Sequence, residues 1–282
     1  MTRIILFRYH HQFERNKALL QFYKYLNPGV KIYGLYGGPA ELFQKATEIL
    51  EGIIEHNYML KHPNPDWNWK NSDMSYQVWY RDFGHTIAFD FMHSIEWDLL
   101  LFEPLDTLFA HVEKNQLALT GLIPLSKIEH RWYWSSNPVK RKEWIELQEH
   151  FRKNFQYNDK PLAMIGPATT FPRAFLSKIK DIEIPDLSND ELRIPLLAQA
   201  TGFPMVDTGF FRKWFSKREF KFFNANAFII DLKDIRTELS YARGRRAFHP
   251  CNQDLSFAEL KDLHALTFLN KKRFSLRTLT MS

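Results

Sequence analysis

Residues 89–109 read FDFMHSIEWDLLLFEPLDTLF, and the fold turns on how this stretch is read. An aromatic, apolar run meets Glu96-Trp97-Asp98, and a second apolar run, a proline and a helix-like segment follow at once. Read as one strand over 89–101, its side chains alternate faces, so Glu96 and Asp98 point one way and Trp97 the other. Two carboxylates on one face at the end of a buried strand are placed to hold a hard divalent cation. Such a cation can bind a pyrophosphate group and neutralise it as it leaves.

Acid-x-acid triplets arise by chance among 32 acidic residues in 282, and Asp181-Ile182-Glu183 is another. Their surroundings separate them. Residues 181–183 lie in polar sequence before a proline, whereas Glu96 and Asp98 interrupt what is otherwise core, where an unpaired charge is costly. Either the two acids emerge into a site at the strand's end or basic side chains pair with them.

Residues 3–9 read as a strand and 14–26 as a helix stopped by Asn27-Pro28-Gly29. A second strand over 30–36 ends at Gly37-Gly38-Pro39, and a second helix is expected over 40–54. That strand–helix–strand–helix rhythm predicts an α/β fold with a mostly parallel sheet. Further helices are expected over 72–84, 106–113, 139–154, 173–179 and 192–201, and further strands over 116–123, 162–167, 202–206 and 227–230. No repeat, low-complexity tract or linker divides the chain, so residues 1–282 are expected to form one domain.

Hydrophobic content of 45% with 16% aromatics describes a chain that folds around a core rather than staying disordered. The net charge of +6 is mild but uneven. Lys271, Lys272, Arg273 and Arg277 make a basic tail over about 270–282, and Arg243, Arg245 and Arg246 form a second knot. Such clusters attract phosphates, nucleic acid or anionic lipid; the tail equally serves as a solvated surface, whereas a phosphate role is expected of the knot. The basic residues do not lie along one aromatic-studded element, so no nucleic-acid partner is expected. The single cysteine, Cys251, excludes an intramolecular disulfide, a cysteine zinc cluster and an iron–sulfur centre. MTRIILFRYHHQFER lacks the apolar region of a signal peptide, and no apolar run reaches transmembrane length. The expectation is a cytoplasmic protein, with peripheral membrane contact by the tail left open.

No Walker loop, no Gly-x-Gly-x-x-Gly after the first strand and no Gly-x-Ser-x-Gly elbow occurs, so metal and basic residues must hold any phosphate. SIEWDLLLFEPLDTLF resembles the metal-binding strand of GT-A fold glycosyltransferases, in which a DXD-type motif ends a central strand. In that family a hydrophobic residue, a proline and a short helix usually follow. The resemblance covers the chain from Arg3 to about Gln253, with 89–109 as its distinctive part. It implies a single GT-A, Rossmann-like domain, with Glu96 and Asp98 as the DXD equivalents, Glu standing first where Asp is usual. It also implies a divalent cofactor, manganese or magnesium.

Two more segments resemble parts of that family. NDELRIPLLAQATGFPM, residues 189–205, resembles the acidic helix start that faces the acceptor, which implies that Glu191 or Asp190 deprotonates an acceptor hydroxyl. Two acids at a helix start are also what capping and the helix dipole favour. RGRRAFHPCNQ, residues 243–253, resembles a late loop whose histidine adds a metal or diphosphate contact. That histidine is His249, and Arg245 and Arg246 would clamp the same diphosphate. The opening strand holds the nucleotide in this fold, which points to Arg8, Tyr9 and His10. Asp73, Trp79, Arg81 and Asp82 are further donor-pocket candidates, although Trp79 also reads as core and Arg81 as a partner of Asp82. Trp132, Tyr133 and Trp134 offer ring faces either to an acceptor sugar or to packing. His10-His11 has no third ligand at zinc spacing.

The resulting expectation is a metal-assisted glycosyltransferase that moves a sugar from a nucleotide-diphosphate sugar to a hydroxyl on a glycan, lipid or other acceptor. A sugar-phosphate nucleotidyltransferase is the alternative enzyme, but its glycine-rich basic signature is replaced here by FRYHHQFER. A catalytically inert nucleotide- or glycan-binding protein of the same fold is the alternative from another class.

Overall fold

The computed structural model describes the chain except Pro63, Pro65, Asp66, Ala227 and 280–282, with side chains described as far as Phe268. Its strands are β1 (Arg3–Tyr9), β2 (Lys31–Tyr36), β3 (His56–Met59), β4 (Phe91–Glu96), β5 (Leu100–Leu101), β6 (Leu117–Pro124), β7 (Leu162–Pro172), β8 (Met205–Asp207) and β9 (Ala247–Phe248). Among the described residues a seven-stranded sheet runs β3-β2-β1-β4-β7-β6-β8, and β5 pairs with β9 separately. β1 runs parallel to both β2 and β4, β2 to β3, and β6 to β8, whereas β7 is antiparallel to both its neighbours. The sheet is therefore mostly parallel, as expected.

Alternation along β1 explains the apolar run over residues 4–7, between Arg3 and Arg8. Ile5, Phe7 and Tyr9 pack into one core with the helix Phe13–Leu26, while Ile4 and Leu6 pack into a second with Tyr76 and Trp79. Both faces are covered, and a strand covered twice has no polar side to show. The helix Pro138–Phe155 starts where a proline stands in its first turn and the Asn137 side chain accepts from the Val139 and Lys140 amides. No described helix is long and apolar enough to cross a membrane.

Strand order reverses at β1. The chain steps outward through β2 and β3, then crosses back to lay β4 on β1's other side. Ligands of open α/β sheets bind outside the carboxyl ends of the strands at such a reversal. Here those ends are Tyr9 and Glu96, and Arg8 lies in register with Glu96.

Several expected boundaries move. The strand expected over 89–101 stops at Glu96, turns through Trp97 and Asp98, and resumes only as β5. The helices expected over 40–54 and 106–113 shorten to Phe43–Ile49, after a tight turn at Ala40–Leu42, and to Leu105–Leu108. Phe228, Ile229 and Ile230 form no strand, and Ala227, which opened that expected strand, lies outside the described residues. The basic tail lies beyond the described side chains.

Candidate active site

The turn after β4 gathers the site. Glu96 is the last residue of β4, and Asp98 leaves the turn toward the same side, so the acids converge through a bend rather than through strand alternation. β5 then pairs with β9, Leu100 opposite Phe248 and Leu101 opposite Ala247, which delivers His249 beside the turn. Phe102 N–H donates to the Arg246 carbonyl at 2.8 Å and Cys251 N–H to the Asp98 carbonyl at 2.7 Å, closing this small ladder.

His249 Nε2 stands 3.3 Å from Glu96 Oε2 and 3.3 Å from Asp98 Oδ1. One ligand atom from each of the three residues lies within 4.8 Å of the others. His249 Nδ1 is 2.6 Å from the Asn224 carbonyl, which fixes Nδ1 as the protonated nitrogen and turns Nε2 toward the acids. Burial disfavours a charged His249, but Asp98 and Glu96 outweigh it and raise the imidazole to about 10. Burial likewise pushes the Asp98 carboxyl up, yet the facing His249 holds it below the usual carboxylate range. Two carboxylates and an imidazole whose second nitrogen is already tied to a carbonyl suit manganese or magnesium.

The triad forms part of the wall of a cleft of about 530 Å³ that also takes in Arg8, Tyr9, His10, Gly37, Trp134, Asp190 and Glu191. Arg8 Nη1 donates to Glu96 Oε1 at 2.7 Å and Nη2 to the Asn68 carbonyl at 2.7 Å, so Arg8 aims the other Glu96 oxygen at His249. A Cβ at Gly37 would meet Asn68 Nδ2 at 2.6 Å, so a side chain there would displace the Asn68 amide. The Tyr9 ring is buried against Phe13 and Tyr36, so it supports the wall without offering a face for a base. His10 is exposed at the rim, with His11 and Trp97 against it.

The start of the helix Asp190–Ala200 also lines the cleft. Arg193, wholly buried, binds Asp73 through Nε at 2.7 Å and Nη2 at 2.8 Å and the Leu187 carbonyl at 2.9 Å, locking this helix to the helix Ser72–Asp82. Asp190 Oδ2 accepts from the Ser72 amide at 3.2 Å and from its hydroxyl, which makes Asp190 the cap of that second helix. Glu191 Oε1 accepts from the Gly166 amide at 2.9 Å and Oε2 from the Asn189 side chain at 3.0 Å. Burial first, then the neighbouring Asp190, raises the Glu191 carboxyl to about 8.

Of the residues singled out from sequence, Glu96, Asp98, His249, Arg8, Tyr9, His10, Asp190 and Glu191 meet at this cleft, and Arg81, Arg245 and Arg246 do not line it. Arg81 is exposed and pairs with Asp82 at 3.4 Å. Arg245 makes a two-pronged bond to the buried Glu219, 2.8 Å and 2.7 Å, and binds the Phe210 carbonyl. Arg246 binds the Arg245 and Tyr241 carbonyls, with Glu103 at 3.4 Å. These arginines fasten the segment that carries His249, so the diphosphate clamp expected of them is corrected to a structural tie. Trp79 is core, and Trp132 packs against Trp214 while Trp134 reaches the cleft.

Sequence reasoning missed Arg15, Asn68, Trp69 and Asn224. Arg15 Nε donates to the Gln253 carbonyl at 2.8 Å and Nη2 to the Cys251 carbonyl, beneath the Trp97 ring. Asn224 acts through its backbone, which no residue type announces. Trp69 stands in a proline-bearing stretch that reads as plain loop, and its aromatic pattern WNWK was the available signal.

No protein-family model and no curated protein matches the chain. Among solved structures, a WbbM bifunctional glycosyltransferase in its apo form is similar at 7% identity and a TM-score of 0.44, over 94% of this chain and 50% of that one. The chain thus spans about half the length of that structure. A likeness so distant assigns neither family nor activity.

Proposed function

We propose that this cleft is the active site of a nucleotide-sugar-dependent glycosyltransferase, assisted by a divalent cation. The observation that carries the reading is the convergence of Glu96, Asp98 and His249 where strand order reverses. Glu96 and Asp98 would hold the cation with His249 Nε2, while Arg8 and the Asn224 carbonyl keep two of the three ligands aimed. When bound, the cation supplies charge neutralisation to the departing diphosphate.

The chain's own residues would do the rest. Glu191 takes the acceptor hydroxyl's proton; each of its oxygens accepts one hydrogen bond and keeps a lone pair for the purpose. The acceptor oxygen bonds to the anomeric carbon as the bond from that carbon to the phosphate oxygen breaks, and the electron pair leaves with the nucleoside diphosphate. A carboxyl near 8 is well matched to such a base. Asp190, already bonded to Ser72, serves better as a support for Glu191 than as the base itself.

The test is incubation with a panel of nucleotide sugars and manganese, reading free nucleoside diphosphate. Release by the wild type that is lost in Asp98→Ala is expected. Release that is equal in both proteins would overturn the reading. A catalytically inert binding protein is the second reading, and one observation favours it: Arg8, 2.7 Å from Glu96, and His249, 3.3 Å from both acids and raised to about 10 by them, together match the two negative charges without an ion. Binding of a nucleotide sugar without any turnover would select it.

A further inference from the structure

Trp69 is 62% exposed, an unusual cost for an indole, and it stands at the cleft with Trp134. The two ring centroids are 6.0 Å apart with planes inclined at 44°. Tyr133 meets Trp134 edge-on at 5.4 Å. Lys140 Nζ lies 5.5 Å over the Trp134 ring and is fixed by Glu143 at 2.7 Å. Trp134 is thus held by Lys140 and Tyr133, with the Trp69 ring inclined to it.

Its place in the cleft follows from the neighbouring contacts. Glu143, which holds Lys140, also accepts from the Ser188 amide at 3.1 Å, just before the Asp190–Ala200 helix. Lys70, next to Trp69, pairs with Asp186 at 3.4 Å, and Trp67 Nε1 donates to the same carboxylate at 3.2 Å. Both tryptophans are therefore tied to the segment that carries Glu191. We propose that Trp69 and Trp134 are the platform for a pyranose acceptor, which lays an apolar ring face on an indole while its hydroxyl reaches Glu191.

Geometry rules out a nucleobase sandwiched between the two rings. A base sandwiched between two rings needs them parallel and about 7 Å apart, two contact gaps of about 3.5 Å. These rings are closer and inclined. A sugar needs only one accessible face, with its C–H groups against the π cloud and its hydroxyls in water, and a base stacked on a single face is told from it by the nucleotide titration below. The acidic triad would meanwhile occupy the donor's diphosphate.

This inference rests on the glycosyltransferase reading, so the test keeps the two apart. Full-length wild type, Trp69→Ala, Trp134→Ala and Trp134→Phe are titrated calorimetrically, first with uridine and guanosine diphosphates plus manganese, then with methyl pyranosides of glucose, galactose, mannose and N-acetylglucosamine. Expected is saturable binding of at least one pyranoside by the wild type, weakened about tenfold in each alanine variant and restored in part by Trp134→Phe, with the nucleotide affinity unchanged. Trp69 is exposed, so Trp69→Ala gives a folded protein and a clear answer. Unchanged pyranoside affinity in Trp69→Ala and Trp134→Ala would overturn the platform, as would no pyranoside binding by a wild type that binds nucleotide. Loss of nucleotide affinity instead of sugar affinity would reassign the pair to the base. Failure of every nucleotide to bind would sink the underlying reading.

Discussion

His249 Nε2 lies 3.3 Å from Asp98 Oδ1, and two residues beyond the histidine the Cys251 amide bonds the Asp98 carbonyl at 2.7 Å. Side chain and backbone of one residue are thus held by one short segment. The distance that matters for ion binding is set by the β5–β9 ladder and by what pins the segment after it.

Arg15 is the main pin, bonding the Cys251 and Gln253 carbonyls. Arg15→Ala is expected to weaken manganese affinity about tenfold or more, as loss of outer partners does at metal sites. Calorimetric titration checks this, with circular dichroism to confirm that the fold is kept.

The proposed base, Glu191, would set the pH dependence of turnover. As a base it must be ionised, so turnover should rise with pH through about 8 and then level off. Stability runs the other way. The folded carboxyl is raised to about 8 from an ordinary 4.5, so its contribution is full below about 4.5 and is lost as pH rises through about 8. Glu191→Gln should abolish turnover, keep nucleotide binding and flatten that part of the stability profile in urea melts.

Arg193 is the structural counterpart. Its pairing with Asp73 is 0% and 1% exposed, so removing one partner strands a buried charge. Arg193→Met is expected to cost about 3–5 kcal/mol of unfolding free energy, read from urea denaturation.

Arg81→Ala and Arg245→Ala distinguish the two corrected residues. Arg81 neither lines the cleft nor touches the segment that carries His249, so Arg81→Ala should leave nucleotide affinity unchanged. Arg245→Ala should lower the melting temperature, because Glu219 would be left buried without its partner, and Arg81→Ala should not.

The part of the fold that was legible in sequence is the part made of local signals. β1 and the helix Arg173–Ile179 fall where 3–9 and 173–179 were expected, because apolar runs and turn residues mark them. β3, β9 and the helices Leu232–Ser240 and Phe257–Leu279 were not seen, and β5 was read as the end of one long strand. β5 and β9 are two residues each and exist only through pairing with each other, which no local pattern encodes. The same limit governs the site. Glu96 and Asp98 stood out as charges inside core sequence, and His249 as a histidine near arginines. The arginines themselves misled, since charge density does not reveal that Glu219, Glu103 and backbone carbonyls already occupy them.

Manganese titration of wild type against Asp98→Ala and Asp98→Asn, by calorimetry in the presence of uridine diphosphate and again with guanosine diphosphate, bears most directly on the triad as an ion site. The wild type should bind manganese with either nucleotide or with both, magnesium should compete, and each variant should lose at least about tenfold in affinity. Equal manganese affinity in all three proteins, or none in the wild type, would contradict it.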